Sequence, residues 1–203
     1  LVPELLWVMA CILVYQVTLE LHQLIQSRNT GYLTTALPSA NLCGLLAVLA
    51  IVAAPMPHVL AIGLLPDTIL APLSLGILWM ALRWLRSHRF SLSEWLILGL
   101  LLGLAGLSKY TAAFTAVALL LVFLSLPKKP WITQIGFWLA ALVALILISP
   151  VLYWNWANDW ISFKYQIAHG GGGAWLWRGL GLFLLLQLLV FGPLLILGAS
   201  QFA

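Results

Sequence analysis

Apolar stretches separated by short polar or proline-containing segments run along most of the chain. The period-two alternation that marks half-buried strands is absent, which argues against an outer-membrane barrel. Several stretches reach the ~20 residues that a helix needs to cross ~30 Å of hydrocarbon. The pattern predicts spanning helices over Pro3–Leu24, Ser39–His58, Asp67–Leu85, Leu92–Leu126, Trp131–Ser149 and Gly179–Leu197.

The fourth stretch is too long for one crossing, because a single helix over Leu92–Leu126 would measure about 52 Å. Ser91 and Glu94 have capping-box spacing at its start, and Lys109 is the cation in its middle. Basic clusters flank it: Arg83, Arg86 and Arg89 before it, Lys128 and Lys129 after it. Both clusters can face the cytoplasm only if an even number of crossings separates them. We therefore predict a hairpin that turns at Ser108-Lys109, and about seven spans in the chain.

Composition agrees with a chain that lies mostly in lipid. The 203 residues are 64% hydrophobic and 7% charged, and the mean hydropathy is +1.09. A soluble domain is about one quarter charged. The predicted fold is all-α, a polytopic transmembrane helix bundle that forms a single domain over residues 1–203. The chain begins without Met and stops abruptly at SQFA, so we expect a fragment of a longer protein.

The hairpin fixes the side on which each polar group lies. Lys109 falls at the extracytoplasmic turn, and Asp67 falls on the same side. Residues 150–178 also fall on this side. We predict that they form an extracytoplasmic interfacial segment with a short helix over Asp159–Ala168. The basic residues divide six against three, in agreement with the positive-inside rule: Arg28, Arg83, Arg86, Arg89, Lys128 and Lys129 inside, and Lys109, Lys164 and Arg178 outside.

Tryptophans concentrate near both predicted boundaries, where indole rings favour the headgroup level. The outer group consists of Trp154, Trp156, Trp160, Trp175 and Trp177, and the inner group consists of Trp84, Trp95 and Trp131.

Two charged residues on the outer side are candidates for chemistry. Asp67 follows Pro66 at a helix start, where a carboxylate meets the positive end of the helix dipole. It is either a helix-starting residue or a group that binds a metal, binds a sugar hydroxyl or acts as a base. Lys109 is either a snorkelling lysine at a helix end or a point charge for a lipid phosphate.

The segment after the sixth predicted span carries further candidates. Its tryptophans either form the aromatic belt or stack on a sugar and line a lipid entrance. Asn155 and Asp159 are able to hydrogen-bond hydroxyls. His169 precedes four glycines, which are typical of a flexible loop; a mobile lid or an anion-binding backbone nest is the alternative. His58 is a weaker candidate, and Glu20 and His22 fall near the cytoplasmic end of the first span.

Three segments resemble bacterial membrane glycosyltransferases of family 39. This group includes protein O-mannosyltransferases and lipid A aminoarabinose transferases and has the GT-C fold. The segments are LLPDTILAPLSLGILWMAL, GLLLGLAGLSKYTA and ISPVLYWNWANDWISFKYQ. They are similar to the family's Pro-Asp helix start, its Gly-rich helix ending in Lys, and its Trp-Asn segment. The resemblance covers about Leu64 to His169.

The resemblance implies an enzyme of the bacterial inner membrane, with its site facing the periplasm or exterior. It would take a sugar from a polyprenyl-phosphate donor and transfer it to a hydroxyl or phosphate of a protein or glycolipid acceptor. Asp67 would be the second acidic residue of the catalytic site, and Lys109 would contact the donor phosphate. The other expected substrate-binding residues, which lie beside Lys109 or in the outer segment near the lipid, are Tyr110, Trp154, Asn155, Trp160 and His169.

The family's principal acidic motif lies on the first outer loop, and this sequence shows no match to it. We therefore expect the catalytic base to lie outside this chain. Some relatives of the fold use a divalent cation, but one outer carboxylate predicts no metal site, and no other cofactor is expected. Membrane lipid is an expected partner, and nucleic acid is not.

Two other functions remain open from the residues. A transporter or lipid flippase also places charges at membrane depth, but it favours paired broken helices in two related halves, and no such repeat is visible. A non-catalytic membrane subunit would use its helices only to pack against partners.

Overall fold

The computed structural model describes residues 1–27, 38–54, 58, 62–126, 131–170 and 177–191, and all regular structure in these ranges is helical. The all-α prediction is confirmed. The helices are α1 (Val2–Ser27), α2 (Ala40–Ala53), α3 (Pro66–Ser87), α4 (Leu92–Ser108), α5 (Ala112–Ser125), α6 (Ile135–Ala157), α7 (Ile161–Gly170) and α8 (Trp177–Phe191).

Three of the described helices are long and apolar enough to cross a membrane: α1, α3 and α6, with 26, 22 and 23 residues. The apolar helices α2, α4 and α5 are shorter, with 14, 17 and 14 residues. A helix of 14 residues covers about 21 Å, less than the ~30 Å of hydrocarbon. Each predicted span thus overlaps a helix, but only three of the described helices reach spanning length. The predicted end of the last span, at Leu197, lies outside the described residues.

The predicted hairpin between α4 and α5 is confirmed. Ser91 and Glu94 form the expected capping box: the Ser91 amide donates to Glu94 Oε2 at 2.8 Å, and Ser91 Oγ accepts from the Glu94 amide at 3.4 Å. The helix ends at Ser108 because Lys109 adopts an extended backbone (φ −159°, ψ 140°). The chain then turns, and α5 begins at Ala112.

Helix directions follow from the contacts between α4 and α6. Trp95 packs on Gly136, Gly99 on Ala140 and Gly103 on Leu147. The partners advance together along both helices, so α4 and α6 run parallel and α5 must return between them. This agrees with the even number of crossings predicted between the two basic clusters. Small residues allow the two backbones to approach closely, as in other membrane bundles.

The same reasoning gives the bundle two chemically distinct ends. At one end, which we call the Arg86 end, Arg86 binds Glu20 of α1 at 2.8 and 3.1 Å, and Arg83 binds Glu94 at 2.9 Å. Glu20 therefore lies beside the basic cluster, as the sequence predicted. The Lys109 end is the opposite one. Of the other basic residues, Arg28, Lys128, Lys129 and the Arg178 side chain lie outside the described part of the chain.

The three tryptophans predicted near the inner boundary are buried and do not face lipid. Trp84, Trp95 and Trp131 are at most 5% exposed. Their rings form a buried cluster with Phe123 and Phe137, in which the Trp84–Phe123 and Trp131–Phe137 centroids lie 4.8 and 4.6 Å apart. The rings fill the space where α3, α4, α5 and α6 converge, and protein oxygens accept the Trp95 and Trp131 indole N–H groups. These tryptophans stabilise the bundle core.

Gly99 is the position at which an added methyl group should damage this packing most clearly. A Cβ there would overlap the Ala140 backbone, which cannot rotate away as a side chain can. We expect Gly99→Ala to cost about 1–3 kcal/mol and to lower the Tm in detergent by several degrees. Gly181→Ala is the matched control, since no described atom lies within 4 Å of its Cβ position. Equal Tm values for both variants would contradict the close α4–α6 contact.

Candidate functional site

The Lys109 end is organised around a direct ion pair between Asp67 and Lys109. Lys109 Nζ lies 2.8 Å from Asp67 Oδ1 and 2.9 Å from Oδ2, although the residues are 42 positions apart in the chain. The Lys109 and Asp67 side chains are 40% and 47% exposed. The predicted meeting of these residues at one end of the bundle is confirmed. Their catalytic and phosphate-binding roles stay predictions.

Asp67 owes its place to the way α3 begins. Pro66 occupies the first helical position, where its missing N–H costs nothing and its fixed φ suits the helix. The buried Thr68 hydroxyl accepts the Leu65 amide at 3.1 Å and donates to the Gly63 carbonyl at 2.7 Å. The Asp67 carboxylate therefore projects from a fixed first turn, where the helix dipole favours negative charge.

Lys109 projects from an equally well-defined turn. Its amide donates to the Ala105 carbonyl at 3.2 Å, and its carbonyl accepts from the Ala112 amide at 3.0 Å. An ammonium group has three N–H donors, and the two carboxylate oxygens of Asp67 occupy at most two of them. Lys109 thus retains at least one donor for another anionic oxygen, on a side chain that solvent and ligands can reach.

Tyr110 and Asn155 form the next layer of the site. Asn155 is fully buried, and its Nδ2 donates to Tyr110 Oη at 3.4 Å and to the Val151 carbonyl at 3.0 Å. The Tyr110 ring packs against Phe163 of α7 with centroids 4.9 Å apart. Asn155, expected to bind substrate, therefore contacts Tyr110 from beneath the surface.

The two other aromatic candidates lie on the surface. Trp154 and Trp160 are 51% and 43% exposed, and the Trp160 ring contacts Phe163 with centroids 5.5 Å apart. This exposure suits either a membrane belt or stacking on a ligand. His169 belongs to α7, but its side chain lies outside the described residues, as do the glycines that follow Gly170.

An open pocket of about 420 Å³ lies beside this layer. Its lining residues come from the α4–α5 turn and from one face of α7: Tyr110, Ile161, Ser162, Tyr165 and Gln166. The polar residues of α7 were not among the site residues predicted from the sequence. Their spacing could have indicated them, because Tyr165 and Gln166 follow Ser162 by three and four positions, which places all three on one helical face.

The described residues contain no group of three or more His, Cys, Asp or Glu side chains that could hold a metal ion. Both Asp67 oxygens are already engaged by Lys109. The His58 Nε2 atom lies 2.6 Å from the Val52 carbonyl oxygen, and the His58 ring contacts Trp7 of α1.

Taken together, the helices define a polytopic membrane protein that presents a carboxylate, an ammonium group and exposed aromatic rings at one end of its bundle. A family model described as dolichyl-phosphate-mannose-protein mannosyltransferase matches residues 32–154, more than half of the chain. The chain therefore belongs to this family of membrane glycosyltransferases, and the GT-C-type assignment expected from the sequence is confirmed. No curated protein and no solved structure matches it.

The matched range includes Asp67, Lys109 and Tyr110 and ends at Trp154. Asn155 and α7 follow directly after it. The structure joins the matched range to the residues that follow it, because Asn155 contacts Tyr110 and Phe163 packs on the Tyr110 ring.

Proposed function

We propose that the protein transfers a sugar from a polyprenyl-phosphate-linked donor to a hydroxyl or phosphate of a protein or glycolipid acceptor. The reaction would take place at the outer face of a bacterial inner membrane. The observation that carries the proposal is the half-exposed Asp67–Lys109 pair with its spare N–H donor. The family description supports it further, because dolichyl-phosphate-mannose is a sugar carried on a polyprenyl phosphate.

The surroundings of Lys109 suit an amphipathic lipid donor. The donor's phosphate lies at headgroup depth and its isoprenoid tail in the hydrocarbon. Directly after the turn, α5 presents an exposed apolar face that includes Phe114 at 76%, Val117 at 52% and Leu121 at 59%. When the donor phosphate binds Lys109, its isoprenoid tail could therefore lie along the exposed face of α5.

The proposed reaction is a displacement at the anomeric carbon. The bond from this carbon to the phosphate oxygen breaks, a bond to the acceptor oxygen forms, and the polyprenyl phosphate leaves with the electron pair. Lys109 would neutralise the charge that grows on the leaving phosphate. Asp67 would hold Lys109 in place and orient the acceptor hydroxyl. The hydroxyl proton would pass to the carboxylate general base that is expected outside residues 1–203.

A transporter or flippase is the main alternative. Its expected signature is a pair of interrupted helices in corresponding places of two halves. Among the described helices, α3 and α6 contain Pro72 and Pro150, yet both helices continue through these prolines without a break. This continuity supports the transferase proposal.

The experiment uses the full-length protein in proteoliposomes, with sugars carried on polyprenyl phosphate or on a nucleotide. We expect transfer to an acceptor from the lipid-linked donor and none from the nucleotide-linked one. Arg86→Ala is a matched control, because it removes a bidentate ion pair at the opposite end of the bundle, and it should leave transfer unchanged. Movement of the lipid donor between leaflets without transfer would support the flippase instead.

A further inference from the structure

We propose that the pocket between Tyr110 and α7 holds the sugar of the donor, and that Asn155 is the positioning residue that directs the Tyr110 hydroxyl proton into it. This inference rests on the proposed function, because the sugar must be attached to a phosphate that lies beside Lys109. It adds a sugar site and a role for a buried side chain that never touches the substrate.

The neighbours of Asn155 fix the orientation of its amide. One terminal atom of the side chain lies 3.0 Å from the Val151 carbonyl oxygen, and only the Nδ2 donor is stable there, since an amide oxygen would be repelled. The same Nδ2 lies 3.4 Å from Tyr110 Oη, so the tyrosine oxygen acts as acceptor in this contact. Its own proton must then point elsewhere, and Tyr110 lines the pocket.

Asn155 also fixes the helix that forms the opposite wall. Its backbone carbonyl accepts the Trp160 amide at 2.7 Å. Asp159 and Trp160 both have positive φ angles, 52° and 58°, in a region that a bulky residue rarely adopts. Surrounding structure must hold such a connection in place. The side chain and the carbonyl of one buried residue thus set the positions of Tyr110 and of α7.

The chemistry of the pocket fits a sugar better than a phosphate. The described residues that line it supply hydroxyl and amide groups together with aromatic surface, and none of these residues is charged. Neutral hydrogen-bonding groups and aromatic faces suit the hydroxyls and the apolar face of a sugar ring. The volume of about 420 Å³ lies within the range of ~300–1,000 Å³ that is usual for small-molecule sites. Lys109, the residue before Tyr110, would hold the phosphate at the edge of the same site.

The amide oxygen of Asn155 indicates that this side chain lowers the stability of the fold. Asn155 Oδ1 is buried and has no hydrogen-bond partner among the described residues. A buried acceptor without a partner is destabilising, so an apolar side chain of similar shape would pack there at least as well. Asn155→Leu should therefore fold normally, and this makes it a clean test of the positioning role.

The test is a double-mutant cycle of Asn155→Leu and Tyr110→Phe, with KM and kcat measured for the sugar-linked donor. We expect each single variant to raise KM about tenfold, because one oriented hydrogen bond is lost. The double variant should match Tyr110→Phe alone, because Asn155 acts through Tyr110. The inhibition constant of sugar-free polyprenyl phosphate should stay unchanged in all three, whereas Lys109→Ala should raise it.

Each outcome separates the two proposals. Additive effects of Asn155→Leu and Tyr110→Phe would overturn the positioning role. Equal weakening of the sugar-linked donor and the sugar-free phosphate would overturn the sugar site. In either case, transfer by the unmodified protein would leave the proposed function intact, while absence of transfer from any polyprenyl-phosphate donor would remove that function itself. Tm values of all variants verify folding, and Asn155→Ser serves as a second substitution if Asn155→Leu is unstable.

Discussion

Lys109→Ala is expected to lower kcat/KM for sugar transfer by about 100- to 1,000-fold, the usual cost of removing one group that stabilises developing negative charge. The loss should not arise from unfolding. The Asp67–Lys109 pair is half exposed, and pairs of this kind contribute about 0–1 kcal/mol to stability. The measurement is transfer from a polyprenyl-phosphate sugar at equal amounts of folded protein.

Two further variants sharpen the interpretation of Lys109→Ala. Lys109→Arg keeps the charge but replaces a compact ammonium by a planar fork, so we expect it to retain part of the activity. Arg86→Ala should keep full activity, because it breaks an ion pair of comparable geometry at the Arg86 end. Undiminished transfer by Lys109→Ala would instead show that Lys109 only pairs with Asp67.

The hairpin at Lys109 could be predicted from the sequence because two independent constraints agreed. The stretch Leu92–Leu126 is too long for one crossing, and the basic clusters on either side require an even number. Pro66 and the Ser91–Glu94 box marked helix starts by local chemistry that does not depend on tertiary contacts. These rules were sufficient to place Asp67 and Lys109 at the same end.

The burial of three tryptophans could not be predicted from the sequence. Composition places Trp84, Trp95 and Trp131 near a predicted boundary, but not on the side of the helix that faces lipid. That side depends on how α3, α4 and α5 pack, and the packing turns all three rings inward. The length of α5 was overestimated as well, because the turn before Ala112 and the extended backbone of Leu126 shorten this helix.

The contact between Asn155 and Tyr110 also could not be predicted from the sequence. Both residues were expected in the site, each as a substrate contact. That one lies beneath the other follows from the parallel packing of α4 and α6, which brings residues 45 positions apart within 3.4 Å. The structure shows that Asn155 is fully buried, whereas Tyr110 is partly exposed.

Exchanging the two charges provides the second large expected effect. The single variants Asp67→Lys and Lys109→Asp place like charges together and should lose both stability and activity. The double variant Asp67→Lys with Lys109→Asp restores an ion pair between the same two positions. It also moves the cation from the α4–α5 turn to the start of α3, and displacements on the order of 1 Å cost about 100-fold in catalysis.

The double charge exchange is therefore the most direct test of whether Lys109 acts on the substrate or only pairs with Asp67. Tm and kcat/KM for the lipid-linked donor are measured on the unmodified protein, on each single variant and on the double variant. We predict that the double variant has a higher Tm than either single variant, because the ion pair is restored, while its transfer stays at least about 100-fold below that of the unmodified protein. Its Tm should remain slightly below that of the unmodified protein, because a lysine then faces the positive end of the α3 dipole. Recovery of both stability and transfer would contradict the account, because it would show that the site requires only an ion pair.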